Sequence, residues 1–453
     1  MEHRGNFGTR LGIILATAGS AVGLGNVWRF PFMTGQNGGA TFILVYFLFV
    51  LLLGIPGMLS EFIIGRHSQA NAARAYGHIA GGGRKLWQLV GVLGIITSTI
   101  ILGFYAVVAG WCLQYLFASL MGSLNGDATY VQEYFVSFAS HPWKPCLWAV
   151  AFILITHLVI VRGVQGGIER ASKLLMPLLF VLLVTIVIAS CLLPDAIKGI
   201  EFLFKPDFSK LNHSMLLEAL GQAFFSLSLG TCCLCTYASY FSKDTHLLRS
   251  ATQIAFIDTG IAILAGLMIF PAAFSVGINP DSGPSLIFIT LPNVFQQAFG
   301  SMPVAGYVIG ILFYALLVFA ALTSTISMHE IGTAFFTEEL HLPRKKAAWI
   351  LTIVCSVIAV LCSLSMGAVE GIALFGLPLL DFCDYITAQI MLPMGAFLTS
   401  LFVGWFIDQR LLRDEFTNNG TVATSFFKAY QFAVRFIVPT GILLIFLHQL
   451  GVI

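Results

Sequence analysis

The sequence predicts an all-α protein that crosses a membrane many times, and three observations carry that prediction. Of 453 residues, 58% are hydrophobic and only 10% are charged, against about 25% charged in soluble globular chains. Mean hydropathy is +0.90. Apolar runs recur along the whole chain at the length of ~20 residues that a membrane span needs. Composition of this kind excludes a soluble multidomain protein. Phe (40) and Gly (44) are both abundant, as in closely packed membrane helices. The net charge of +2 gives no reason to expect a nucleic-acid partner. The nine cysteines lie mostly in apolar runs, as at Cys191, Cys355 and Cys362, and read as small buried residues. The polar start MEHRGNFGTR runs straight into the first apolar stretch, so no cleavable signal is expected.

Eleven spans are expected, near 11–34, 40–64, 87–121, 146–161, 168–193, 214–240, 252–276, 304–335, 347–366, 376–407 and 426–449; they are called spans 1 to 11 below. The chain reads as one transmembrane unit over 1–453. A shorter apolar stretch, 285–298, cannot cross and is too apolar for an open loop, so it is expected to be a lid on the outer face. With a cytoplasmic N-terminus, the inner loops collect Arg4, Arg10, Arg66, Arg74, Arg84, Lys85, Arg162, Arg170, Lys173, Lys243, Arg249, Arg344, Lys345, Lys346, Arg410 and Arg413. The outer loops hold only Lys144, Lys198, Lys205 and Lys210. That asymmetry sets the orientation, and an odd number of spans puts the C-terminus outside. The longest links, 122–145 and 194–213, have room for short helices at most.

Two spans carry interruptions. Span 1 contains GSAVGLGNVWRFP, with Gly19, Gly23 and Gly25 beside Ser20 and Asn26; span 6 contains SLSLG, Ser226 to Gly230, followed by Thr231. Glycine weakens helices, and freed backbone groups must find partners away from lipid. Close packing through small residues explains many membrane glycines and would account for either break alone. Together the breaks open the first and second sets of five spans, which points to inverted repeats around a site at the midplane. The repeats would cover 9–193 and 214–407, with an additional helix over 424–450.

The segments TRLGIILATAGSAVGLGNVWRFPF, NGGATFILVY, GIPGMLSEFIIGR, GQAFFSLSLG, TYASY and FAALTSTIS resemble the neurotransmitter:sodium symporter family. The resemblance runs from residue 9 to about 449 and is strongest with bacterial members, near a carrier of several hydrophobic amino acids. It implies the leucine-transporter-type fold, two inverted five-helix repeats with helices 1 and 6 broken. Family members usually have twelve spans, and the missing twelfth bears on oligomer contacts; a monomer or weak dimer in a bacterial inner membrane is expected. The implied activity is sodium-coupled import of an amino acid, with no enzymatic reaction.

Matched residue by residue, the family implies two sodium sites. One would use the Ala21 carbonyl, Asn26, Ser226, Asp258 and the substrate carboxylate. The other would use carbonyls of Gly19, Val22 and Ala320 with the hydroxyls of Thr323 and Ser324. These are hard oxygen donors, as a hard cation requires. Read alone, Thr323 and Ser324 would bond back to their own helix. Many members bind chloride through residues matching Tyr46, Gln222 and Ser226, and commonly have Asn where this chain has Asp258. A fixed carboxylate there implies that chloride is not required, and that a proton on Asp258 could travel on the return step. An intramembrane acid is a functional candidate on its own account.

By the same resemblance, Ala21, Gly23, Gly25, Tyr105, Phe225 and Ser228 would hold the backbone of an amino acid. Leu24, Ile101, Phe225, Thr231, Ser324 and Met328 would line its side-chain pocket. Monoamine-carrying relatives place Asp at the position of Gly23, so glycine favours a substrate with its own carboxylate. The uncharged pocket disfavours charged side chains by desolvation, and Met328 adapts to bulky ones. Arg29 and Asp384 match the outer gate; Arg4, Phe7, Ser239, Tyr240 and Glu338 match the inner network. Arg4 by itself reads equally as a positive-inside anchor. Gly167 and Pro177 begin span 5, where a missing backbone bond would let the inner turns unwind and open the second sodium site. A proton-coupled or exchange carrier of the same fold is the alternative. Chemistry at Cys232, Cys233 and Cys235 is disfavoured, because no histidine accompanies them.

Overall fold

A computed structural model describes residues 5–81, 85–124, 126–277, 286–299, 303–369, 371–421 and 425–449. Eight continuous helices among them are long and apolar enough to cross a membrane: Ala40–Ser68, Gln88–Leu120, Val164–Cys191, Leu247–Ser275, Val304–Glu339, Arg344–Leu364, Leu379–Phe406 and Phe427–His448. At 1.5 Å per residue each reaches about 30 Å or more. Two bent pairs raise the number to at most ten. Arg10–Ala21 and Gly25–Gln36 meet at 54°, and Thr129–Ala139 and Lys144–Ile160 meet at 74°. The first pair is span 1; the second joins an outer helix to span 4. The expected count of eleven is therefore not reached by continuous helices. Span 6 makes the difference: it is cut into His213–Ser226 and Cys233–Ala238, neither long enough to cross alone.

Sequence pattern explains which faces meet. In span 2, Leu44, Leu48 and Leu52 are exposed while Phe42, Ile43, Tyr46 and Val50 are buried. The exposed set repeats every four residues, one stripe of a helix, and suits lipid tails. Span 3 runs through the middle, in contact with spans 4, 8 and 9. Small residues permit that closeness: a Cβ on Gly110 would lie 2.6 Å from the Ala149 nitrogen. Span 5 opens on a π-type turn, Val164–Glu169, before the helix Arg170–Cys191 that contains Pro177. Gly167 is needed in that turn, since a Cβ would sit 2.0 Å from the Val159 carbonyl oxygen.

The two long links each hold a short helix, Ala128–Ala139 and Ala196–Phe204. The expected lid at 285–298 is described from Leu286 onward, as a π-type turn, Leu286–Thr290, and the helix Leu291–Ala298. It is anchored by Phe288, which stacks on Phe135 at 5.4 Å and meets Trp111 and Tyr115 edge-on. A small antiparallel hairpin, Ala373–Leu374 with Leu377–Pro378, occupies the stretch where the sequence reading began span 10, so that helix starts at Leu379.

The face on which span 1 begins is called inner below. There, the amphipathic helix Gln409–Thr417 is clamped to the end of span 2. Arg66, 4% exposed, donates to the Glu415 carboxylate at 2.7 Å, to the Thr245 carbonyl at 2.5 Å and to Asn418 at 2.9 Å. His67 meets the other Glu415 oxygen at 3.1 Å. Burial pushes the Glu415 carboxyl up, but the His67 contact and the Arg66 charge outweigh it and hold the group below the usual carboxylate range. A depressed acid stabilises the fold above its unfolded pKa and stops doing so as pH falls through its folded one. Glu415→Gln should therefore lower the melting temperature at pH 7, and the gap to the unsubstituted protein should close below pH ~4. Thermal unfolding followed across pH checks both.

Candidate ion and substrate site at two broken helices

The first helix of span 1 stops at Ala21, and Val22 is extended at φ −71°, ψ 111°. Its freed groups are taken up individually. The Gly23 N–H donates to the Asn26 side-chain oxygen at 3.0 Å, and the Leu24 N–H to the Tyr105 hydroxyl at 3.1 Å. Span 6 breaks over the six residues between Ser226 and Cys233. Ser228, Gly230 and Cys232 all have positive φ there, a region that side chains other than glycine rarely enter. Gly230 also touches span 10, where a Cβ would lie 2.2 Å from the Leu392 carbonyl oxygen. The Ser228 hydroxyl donates to the Ser20 carbonyl at 3.3 Å, so the two breaks lie side by side.

Most oxygens of the second expected sodium site converge. The hydroxyls of Thr323 and Ser324 each lie 3.3 Å from the Val22 carbonyl oxygen, and Thr323 lies 3.0 Å from that of Ala320. A Cβ on Gly19 would be 3.2 Å from the Thr323 Cβ, so Gly19 belongs to the same cluster. Thr323 also bonds back to Phe319 in its own helix at 3.2 Å, as the sequence alone allowed. The hydroxyls here donate to carbonyls; a cation would take their oxygen lone pairs instead.

At the first expected site, Asn26 donates to the Asp258 carboxylate at 2.7 Å and to the Asp258 carbonyl at 3.2 Å. It also lies 3.4 Å from the Ser226 hydroxyl, which donates to Asp258 at 2.7 Å. The Tyr46 hydroxyl lies 3.4 Å from Oδ2, the carboxylate oxygen that Ser226 also uses, while Asn26 takes Oδ1. Asp258 is fully buried, and no Lys or Arg makes an ion pair with it among the described residues. A buried charge without a cation is costly. The structure brings Asn26, Ser226 and Asp258 together; no described contact draws the Ala21 carbonyl into that group. Among the described residues, neither polar atom of the buried Gln222 side chain has a hydrogen-bond partner.

The pocket is tightly closed. A Cβ on Gly23 would stand 2.5 Å from the Ser324 hydroxyl and 3.1 Å from that of Tyr105, and one on Gly25 would lie 2.9 Å from the Phe225 ring. Glycine at both places lets the span 1 backbone reach these groups. Leu24 is buried, and Ile101 and Met328 pack partly buried against the same core. Thr231, expected to line the pocket, also serves the span 6 backbone. Its hydroxyl donates to the Ser228 carbonyl at 2.8 Å and accepts the Cys233 N–H at 3.1 Å, and so caps the second helix of span 6.

Of the gate residues, Arg29 lies 4.1 Å above the Phe225 ring, a cation–π contact. Asp384 faces it through space, with no ion pair closed between them among the described residues. On the inner side, Arg4 falls outside the described residues. The Phe7 N–H donates to the Tyr240 carbonyl at 3.2 Å, and the Phe7 ring meets Tyr237, Tyr240 and Phe241. Ser239 donates to the Thr236 carbonyl at 2.5 Å. The Tyr240 hydroxyl donates to Glu330 at 2.7 Å, and Arg344 pairs with the same carboxylate. Glu338 accepts from the backbone and side chain of Asn71.

Two acids escaped the sequence reading. Glu330 is one; Glu61 is the other. The Glu61 carboxylate accepts the Gly230 N–H at 2.9 Å and the Cys235 N–H at 3.2 Å, so it holds the far end of the span 6 break. The signal was present in MLSEFIIGR, an acid in the middle of an apolar span. Glu61→Gln keeps the shape but leaves one acceptor where two N–H groups need it. Hydrogen bonds to charged groups contribute ~1.5–3 kcal/mol, so unfolding should ease by about that much and uptake should fall with it. Thermal stability of the purified variant beside its uptake rate tests this.

The profile of the sodium:neurotransmitter symporter family matches residues 4–137 and 140–453. A sodium-dependent transporter of Bacillus subtilis, YhdH, is 39% identical over 448 residues, 98% of this chain and 97% of that one. The human sodium- and chloride-dependent GABA transporter 2 is 24% identical, over 89% of this chain and 73% of its own. The crystal structure of MhsT in complex with L-phenylalanine superposes with a TM-score of 0.88 at 41% identity, covering 98% of this chain and all of that one. The match extends through both broken spans and the cluster at Thr323. This chain belongs to the sodium:neurotransmitter symporter family.

Proposed function

We propose that the protein is a sodium-coupled symporter that imports hydrophobic L-amino acids, aromatic ones included, by alternating access. The observation that carries this reading is the cluster in which the Thr323 and Ser324 hydroxyls each lie 3.3 Å from the Val22 carbonyl oxygen and Thr323 lies 3.0 Å from that of Ala320. It is a set of hard, uncharged oxygen donors beside a helix break, of the kind a hard cation takes. Similarity to MhsT, crystallised with L-phenylalanine, supports an amino acid as cargo. Gly23 and Gly25 leave the span 1 backbone open to a carboxylate, while Leu24, Ile101, Phe225 and Met328 supply apolar surface for its side chain.

A second ion belongs between Asn26, Ser226 and Asp258. The buried Asp258 carboxylate needs a positive partner, which Na+ provides in the loaded carrier. On the empty return a proton serves the same end. This makes chloride unnecessary and gives proton antiport. Two Na+ ions, each crossing ~100 mV and a tenfold gradient, release roughly 7 kcal/mol; the proton returned against that potential costs about 2.3, which leaves about 5 kcal/mol, on the order of a 10³- to 10⁴-fold amino-acid gradient.

Uptake of labelled phenylalanine and leucine into proteoliposomes, with sodium, chloride and pH varied separately, tests the proposal. Uptake should need sodium and persist when chloride is replaced by gluconate; sodium-independent uptake would sink the reading. Asp258→Asn should lose chloride-free uptake, and an unchanged rate would remove the carboxylate argument. Thr323→Val should weaken sodium activation by about tenfold or more, the loss expected from one missing oxygen donor.

A further inference from the structure

Glu169 is a buried acid that none of the sites above uses. It ends the π-type turn of span 5 and is 3% exposed. One carboxylate oxygen accepts the Gly8 N–H at 2.6 Å. The other accepts the Thr9 hydroxyl at 2.8 Å and meets the Lys173 ammonium at 2.6 Å. Thr9 in turn caps the first helix of span 1 through the Gly12 N–H at 3.0 Å. Gly12 makes room for the acid, because a Cβ there would lie 2.2 Å from the Glu169 oxygen. One side chain thus gathers the start of span 1 and the start of span 5.

The seam continues to the ion site. Gly12 lies on Glu169 and Gly19 lies on Met176. Both steps are seven residues, so the two helices rise together for about two turns, roughly 10 Å. Gly19 is at the wall of the Thr323 cluster. Parting spans 1 and 5 at the Glu169 end therefore opens a path whose far end is that cluster.

We infer that Glu169 is a positioning residue for transport, a latch that holds spans 1 and 5 together and keeps the inner route to the second sodium site closed. This rests on the sodium-symport reading above. Its contacts are charge-assisted and few, which suits a closure that must release once per cycle. Glutamine in its place keeps the length, loses the attraction to Lys173, and turns an amide N–H towards donors.

The native thiols read the latch directly. Cys233 is buried within reach of Ser20 and Ser327, beside the inner route. Cys112 and Cys355 are buried in spans 3 and 9, away from it. The full-length protein in nanodiscs is treated with a water-soluble maleimide, and labelling of each cysteine is followed by peptide mass spectrometry. Glu169→Gln should label Cys233 about tenfold faster, a population shift of the size that losing charged hydrogen bonds produces. Cys112 and Cys355 should stay unchanged, and saturating sodium should slow Cys233 again. Thr9→Val, which removes one of the contacts on Glu169 together with the Gly12 cap but keeps the Lys173 pair, should give a smaller rise. An unchanged Cys233 rate overturns the latch, as does an equal rise at all three cysteines, which would make Glu169 a holder of the whole fold. The readout needs no cargo, so a chain that failed the uptake assay could still show the latch.

Discussion

Everything in this structure depends on how backbone polarity is satisfied where no water reaches. A helix in lipid closes its own hydrogen bonds; a broken one must borrow partners. Spans 1 and 6 each give up several such bonds in the membrane, and the rest of the protein is arranged to return them. Tyr105 takes the Leu24 N–H, Asn26 takes that of Gly23, and Glu61 takes those of Gly230 and Cys235. The donors are claimed by fixed side chains. Carbonyls such as Val22 meet only hydroxyls, which can turn their oxygens to an ion. The division leaves carbonyl oxygen available for a cation.

Electrostatics follows from the same arrangement. The buried carboxylates are supplied differently. Glu61 is held by backbone N–H groups, Glu330 by Arg344 and Tyr240, and Glu169 by Lys173, Thr9 and Gly8. Asp258, like Glu61, has neutral donors only among the described residues. Glu330 and Glu169 are each paired with a cation of the chain. Glu61 serves the span 6 break alone, whereas Asp258 is bonded by Asn26 of span 1 and Ser226 of span 6 together, which is why the proposed function puts an ion there.

Much of this was legible in the sequence because glycine is informative in a membrane. The cluster at Gly19, Gly23 and Gly25 and the run at 226–230 located both breaks, whereas the hydroxyls at 323 and 324 stood out as oxygen donors only through the family resemblance. What stayed hidden depends on contacts distant in the chain. Glu61 was visible as an intramembrane acid, but nothing local says that it faces residue 230. The fit of Gly12 to Glu169 is a tertiary event with no local signature. The resemblance implies a pocket position for Thr231, but that its hydroxyl bonds the backbone of span 6 has no local signature. The hairpin at 373–378 was hidden inside an apolar run, since hydropathy does not distinguish a turn from the start of a helix.

The Phe7 contact carries a mechanical meaning. Its N–H bonds the Tyr240 carbonyl, and its ring sits among Tyr237, Tyr240 and Phe241. The segment that precedes span 1 is thereby fastened to the residues that close span 6. Any tilt of one inner half-helix drags the other with it, so the two act as a single lever pivoting at the unwound residues. Such a lever makes one inner door and not two.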